Sequence, residues 1–428
     1  MPNTRRARIR ARCGWLIALT ACAALVGADE AKPTHMQDSR TQKAIDLMDG
    51  FAERTGITSA RPQQRYLWTD SFAVCNFLAL RQVAGDERYE WLALRLVDRV
   101  HHVLGRHRSD DPRAGWISGL GEREGEDHPT QGGLRIGKRL PERRPGDPFD
   151  EQLEWDRDGQ YFHYLTRWMH ALDLVARSTR EPRFNGWARE LAQKAHDAFR
   201  YVPPGGGPTR MYWKMSIDLS RPLVASMGQQ DPLDGFITLA QLRATAEGLP
   251  VPRVGPRLDD EIADFAAMMK GRDWTTADPL GLGGLLMDAY LVQQLMRRGV
   301  FPKGELLDEL LTAALAGLSD YARQGELSRP ASTRLAFREL GLAIGLQAAE
   351  RMQRALAQER DGPRSSPEAR KRVEALLAYA PLRARIESFW LEPEHRKAQS
   401  WTEHQDINDV MLASSLVPDG CLRLPPLD

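Results

Sequence analysis

Six stretches of this chain crowd carboxyl, imidazole and indole groups at short spacing. They are Arg65-Tyr66-Leu67-Trp68-Thr69-Asp70, the run from Glu154 to His163, Asp231-Pro232-Leu233-Asp234-Gly235, Asp278-Pro279-Leu280-Gly281, Arg329 to Arg334, and Trp401 to Asn408. Taken singly, an aspartate here reads as a helix cap, because a side-chain oxygen satisfies the free N–H groups of a first turn. Capping does not account for Trp68, Trp155, His163, Trp401 and His404 at the same stations. Indole and imidazole cap poorly, but they stack on sugar rings and hydrogen-bond to them. The coincidence of residue types predicts carboxylate acid/base chemistry on a carbohydrate. Asp158 and Asp70 form the expected pair, with Asp234 and Glu403 in reserve. Asp158 stands out because Gly159 would let a ligand approach the backbone and Trp155, Tyr161 and His163 flank it.

Other chemistries find no footing. The sequence has no phosphate-binding loop or dinucleotide fingerprint. It has no H-E-x-x-H and no paired Cys-x-x-Cys, so no metal and no cofactor is expected. It also lacks a G-x-S-x-G elbow. His101 and His102 are adjacent on a helix and point to different faces.

Past Met36 the apolar residues recur at three- and four-residue spacing, which predicts helices over 41–54, 66–83, 87–105, 159–178, 183–200, 233–247, 258–271, 280–297, 303–323, 333–357, 367–389 and 401–415. The members alternate in character. Odd segments are amphipathic, with one solvated face. Even segments are apolar nearly all round, as in Ser71 to Leu80, Gly281 to Ala289 and Leu340 to Leu346, and a helix of that kind is covered on both sides. Alternation of this sort predicts an all-α, (α/α)6 toroid of six helical hairpins, with the even helices as the inner ring. The starts of all six inner helices, and hence the six clusters, would then share one mouth. An open solenoid would show a constant period, and none is present.

Two irregular stretches add to this mouth. The insert at about 106–156 holds Trp116 and Arg135 among glycines and reads as an ordered lid, since so long a loop inside a compact domain is usually functional. The stretch 201–232 holds Trp213 and Lys214, a mix that suits a pocket wall.

The first 28 residues read as an address. Arg5, Arg6, Arg8, Arg10 and Arg12 precede an apolar run from Cys13 to Ala28, too short for a good transmembrane helix. Cleavage before Cys22, which would then be lipidated, and cleavage before Asp29 both fit. Removing those five arginines takes the formal charge from +1 to −4. A mildly acidic export product suits an enzyme of the cell envelope, periplasm or medium and argues against nucleic acid. Residues 29–40 read as a linker and 41–428 as one domain. Cys75 reads as a buried, inert thiol, with a bridge to Cys421 left open.

Six hairpins, acidic and aromatic inner-helix starts and an export leader together resemble the six-hairpin glycosidase-like proteins, over most of the chain after residue 40. Asp158-Gly159 followed by aromatics looks like the inner-helix acid of the unsaturated glucuronyl and rhamnogalacturonyl hydrolases. The resemblance implies an exported carbohydrate-active enzyme, first of all a glycoside hydrolase acting on an oligosaccharide or polysaccharide fragment. Trp68, Trp116, Trp213 and Trp401 would stack on sugar. Arg135 and Lys214 would suit a uronate. N-acylglucosamine 2-epimerases share the barrel and use histidines, which makes an epimerase or lyase with His163 or His404 as base the alternative. A non-catalytic glycan-binding toroid is a third. The expected partner is carbohydrate, with membrane contact only through a lipid on Cys22.

Overall fold

Proline and glycine divide the chain into helices close to the expected boundaries. The computed structural model describes residues 32–249, 254–301, 304–358 and 365–427, and the leader with Cys22 lies outside them. The longer helices are α1 (Lys32–Arg54), α2 (Leu67–Ala84), α3 (Arg88–Leu104), α4 (Phe162–Thr179), α5 (Pro182–Phe199), α6 (Asp231–Gly248), α7 (Asp259–Met269), α8 (Pro279–Arg297), α9 (Glu305–Gln324), α10 (Ala336–Ala357), α11 (Pro367–Leu377), α12 (Ala380–Leu391) and α13 (Gln405–Leu416). Two expectations need correction. The first helix starts at Lys32, inside the expected linker. The expected segment 367–389 is two helices, because Pro381 has no N–H to continue the turn before it and instead opens α12. Residues 40–428 form one compact unit, which contains the ring of helices and its cavities.

The inner ring closes. Helix α2 packs on α4, α4 on α6, α6 on α8, α8 on α10, α10 on α13, and α13 returns to α2. These are the even segments of the sequence pattern. The odd ones lie outside: α3 on α2, α5 on α4, α7 on α6, α9 on α8, and α11 with α12 on α10. This is the closed double ring, (α/α)6, that the alternation of helices predicts. Two polar seams hold it. Asn76 of α2 donates to the Val410 carbonyl at 2.9 Å and accepts from Ser414 Oγ at 2.8 Å, which joins the first and last inner helices. Asn408 of α13 accepts the Phe337 N–H at 3.0 Å and so caps α10. Helices α8 and α10 come closest, because a Cβ on Gly283 would collide with the Gly341 carbonyl.

The C-terminal segment closes the end where the inner helices finish. The carbonyls of Cys421, Leu422, Leu424 and Pro425 accept from His170, Gln294, Arg298 and Arg177. Cys75 and Cys421 are both buried and free, so the bridge left open by the sequence is not made. No helix among the described residues is long and apolar enough to cross a membrane.

The irregular stretches contain short strands that the periodicity does not reveal. Strands β1 (Gln160–Tyr161), β2 (Arg200–Tyr201), β3 (Arg210–Met211), β4 (Lys214–Met215) and β5 (Pro222–Val224) form a three-stranded antiparallel sheet, β1-β4-β5, and a β2-β3 pair. The three-stranded sheet stands at the start of α4 and fixes the aromatic residues there.

Candidate functional site

The starts of the inner helices gather around two cavities at one end of the ring. The smaller, about 250 Å³, is lined by Trp68 of α2, His163 and Arg167 of α4, and Asp231 and Asp234 of α6. His163 and Arg167 are four residues apart on α4, so they share a face one turn apart. Asp231 and Asp234 are likewise neighbours on α6. The two helices therefore meet in two rungs. In the upper rung His163 Nδ1 lies 3.5 Å from Asp231 Oδ1. In the lower, Arg167 Nη2 lies 3.3 Å from Asp234 Oδ1 and 3.9 Å from Asp288 Oδ1 of α8.

The lower rung has unusual electrostatics. Burial pushes the Asp288 carboxyl well above the usual carboxylate range, and the charge of Asp234 pushes it further. Burial also raises Asp234, against the pull of Arg167. Two buried carboxyls thus sit beside one guanidinium, an arrangement that disfavours ionising both. The stretch Gly281 to Ala289, read from sequence as apolar all round, carries Asp288 next to its end.

Aromatic rings enclose His163. Tyr161 stacks on it at 5.3 Å between centroids, Trp213 lies parallel at 6.3 Å, and Trp68 and Tyr164 stand edge-on. Tyr164 is fixed by a 2.7 Å hydrogen bond to Tyr66. Asp231 takes one side of the imidazole, and Nε2 has no partner among the described residues. Trp68 Nε1, the Tyr161 hydroxyl and Asp231 Oδ2 are buried without a partner. Buried polar atoms are normally paired, so Trp68 Nε1 and Asp231 Oδ2, both of residues on the cavity lining, are places where a polar ligand would complete the network.

The larger cavity, about 1060 Å³, is lined by Tyr66, Asp70, Arg135, Lys138, Glu403 and Asp406 among others. Asp70 is an N-terminal brace: Oδ2 accepts the Tyr66 N–H at 3.1 Å and Oδ1 lies 3.3 Å from Arg65. Burial lifts its carboxyl to about 6, and Arg65 opposes the shift.

The structure brings together only part of the set read from sequence. His163, Trp68, Asp234 and Trp213 cluster, and Asp70, Glu403 and Arg135 line the neighbouring cavity. Asp158 does not open α4. It is fully buried, accepts from Arg135 at 2.6 Å, Arg108 at 3.3 Å, Gly137 N at 2.9 Å and Gly159 N at 3.0 Å, and so has no lone pair left for a substrate. Gly159 makes room for the sheet, since a Cβ there would meet the Met215 carbonyl. Arg135 is held by Asp158, so its charge is neutralised within the lid. Lys214 is buried, and its three protons go to Glu154 O at 2.6 Å, Glu154 Oε1 at 2.9 Å and Arg157 O at 2.9 Å. Trp116 is buried under Arg106, and Trp401 packs on Trp390. Glu403 is exposed and bonded to Gln399, and His404 is exposed beside Phe337. Sequence reasoning missed Arg167, Asp288 and the pairing role of Asp231. The four-residue spacing from His163 to Arg167 was the one available signal.

Solved structures with a similar course of chain include the cellobiose 2-epimerase of Spirochaeta thermophila, at 11% identity, TM-score 0.47, covering 90% of this chain and 98% of that one. The cellobiose 2-epimerase of Bacillus thermoamylovorans follows at 11% identity and TM-score 0.43, covering 81% and 87%. A sugar epimerase from a ruminal bacterium stands at 9% identity and TM-score 0.44, covering 81% and 86%. No family model matches the chain, and no curated protein does.

Proposed function

We infer that this protein is a carbohydrate-active enzyme that moves a proton at a carbon beside a sugar carbonyl, as a sugar epimerase or isomerase does, with His163 as base. The observation that carries the reading is the His163–Asp231 pair, held among aromatic rings one turn above Arg167 and Asp234. Asp231 orients the imidazole through Nδ1 and leaves Nε2 to take a proton. Loss of that proton puts negative charge on the carbonyl oxygen of an open-chain sugar. Arg167 supplies the nearby positive charge that such an oxygen needs. Asp234, whose carboxyl burial raises, lies on the same cavity lining as a second group able to exchange a proton. The cage of Trp68, Tyr161, Tyr164 and Trp213 suits the C–H faces of a sugar ring.

Hydrolysis has less support. It needs an ionised and a protonated carboxyl on opposite sides of a bond. Asp158 is consumed by two arginines, Asp70 by Arg65 and the first turn of α2, and Asp234 is paired with Arg167. The arginine-rich leader supports action outside the cytoplasm, with the mature chain starting at Cys22 or Asp29; mass spectrometry of the native N-terminus tests this. Incubation with reducing sugars in heavy water tests the chemistry. Deuterium should enter the carbon beside the carbonyl. Release of new reducing ends without exchange would restore the hydrolase.

A further inference from the structure

The start of α8 holds three glycines in four residues, Gly281, Gly283 and Gly284. Glycine inside a helix is less favourable than alanine, because it gives up more backbone freedom on folding. Packing explains two of the three. A Cβ on Gly283 would collide with the Gly341 carbonyl of α10, and one on Gly281 would sit 3.1 Å from the Thr276 methyl, closer than carbon atoms pack comfortably. Gly284 has no such neighbour. The atoms nearest a Cβ there are Arg167 Nη2 at 3.6 Å and Gln230 Oε1 at 3.7 Å, so a methyl would fit in ordinary contact.

Both of those residues line the small cavity, and so does Gly284 itself. Arg167 Nη2 is a donor, 3.3 Å from Asp234 and 3.9 Å from Asp288. Gln230 donates through Nε2 to the Gly281 carbonyl at 3.3 Å, and its Oε1 accepts no hydrogen bond among the described residues. The space that a side chain at 284 would fill therefore borders one donor and one acceptor. A hydroxyl can take from the first and give to the second. Trp68 Nε1 and Asp231 Oδ2, of residues 9% and 3% exposed, are buried without partners on the same lining. Unfilled hydrogen bonds of this kind point to a polar ligand.

We propose that Gly284 is a positioning residue for the reacting sugar: its missing side chain leaves the seat in which an oxygen at the carbonyl end of the sugar is held between Arg167 and Gln230. The identity of that oxygen rests on the proposed function, and the seat itself rests on the geometry at 284. A methyl there leaves the helix intact and takes the place of the oxygen. Glycine thus admits the sugar to the depth at which Arg167 reaches it.

Gly284→Ala and Gly284→Ser test this. Each should melt no lower than the wild type, since both residues suit a helix better than glycine. Binding is followed by calorimetry with glucose, mannose, galactose and their β-1,4-linked dimers. At least one sugar should bind the wild type, and bind both variants about tenfold or more weakly, the usual penalty for one surplus carbon in a fitted pocket. Hydrogen exchange of that sugar in heavy water should lose at least the same factor in kcat/KM. A melting temperature below the wild type would show that the methyl does not fit, and overturns the geometry. Unaltered affinity in both variants, or no binding of any sugar by the wild type, overturns the proposal. The exchange measurement separates the two claims. Weaker binding in the variants without exchange even in the wild type removes the proton-transfer function and leaves the seat standing. Exchange by the wild type, with binding and exchange unaltered in the variants, does the reverse.

Discussion

His163 Nδ1 faces Asp231 Oδ1 across 3.5 Å, from the first turn of one inner helix to the first turn of the next. The neighbour relation of α4 and α6 in the ring fixes this pair, and the sheet holding Tyr161 and Trp213 fixes the ring plane. His163→Ala should lower turnover by about 10²–10⁴-fold, the usual range for a general base. Asp231→Asn should lower kcat by less, with the melting temperature and circular dichroism unaltered. Near-native kcat in both variants removes the pair from the chemistry.

The lower rung predicts a split between stability and activity. Asparagine at 288 stays uncharged, as burial favours there, but it cannot release a proton. Asp288→Asn should therefore unfold in urea close to the wild type while kcat falls. Asp234→Asn leaves Arg167 without its nearest counter-charge, and breaking such a buried pair costs about 3–5 kcal/mol. Equal loss of stability in both variants contradicts this split.

Asp158 should behave as a lid residue. Asp158→Asn leaves Arg135 and Arg108 without a shared carboxylate and should speed proteolysis of the insert at about 106–156. Its effect on kcat should be much smaller than that of His163→Ala. A well-folded, protease-resistant Asp158→Asn with turnover down a hundredfold would return Asp158 to the catalytic set.

Burial raises Asp70 and Asp409 to about 6, against Arg65 and Arg54 respectively. A carboxyl raised on folding binds its proton more tightly in the native state. Its contribution to stability is full below the unfolded value near 3.8 and is lost as the pH rises through about 6. Asp70→Asn should be less stable overall, because Arg65 loses its partner, yet its stability should fall less between pH 4 and pH 7 than that of the wild type. Parallel pH profiles by thermal melting contradict this.

The ring was legible because burial on two sides leaves a mark in the sequence: Ser71 to Leu80 has no solvated face, whereas Arg183 to Glu190 has one. The convergence of helix starts followed from topology, which is why Trp68, His163, Asp234 and Trp213 meet. The lid was legible as an ordered insert, but the pairs that hold it were not. Its order comes from Asp158, Arg135, Lys214 and Glu154, charged residues whose partners lie up to 60 positions away, and periodicity carries no information about such pairs. Residue type misled for the same reason. Lys214 and Arg135 look like ligands for an acidic sugar until their partners are counted, and Asp288 hides in an apolar helix because one buried charge scarcely alters the pattern.

The central claim is proton transfer by His163, and solvent exchange reads it directly. Reducing mono- and disaccharides are incubated with the enzyme in heavy water and followed by proton magnetic resonance at the carbon beside the anomeric centre. The account predicts loss of that signal for at least one sugar, with an epimer or isomer appearing, and no loss with His163→Ala. Exchange that persists undiminished in His163→Ala, or cleavage of glycosidic bonds with that carbon untouched, would contradict it.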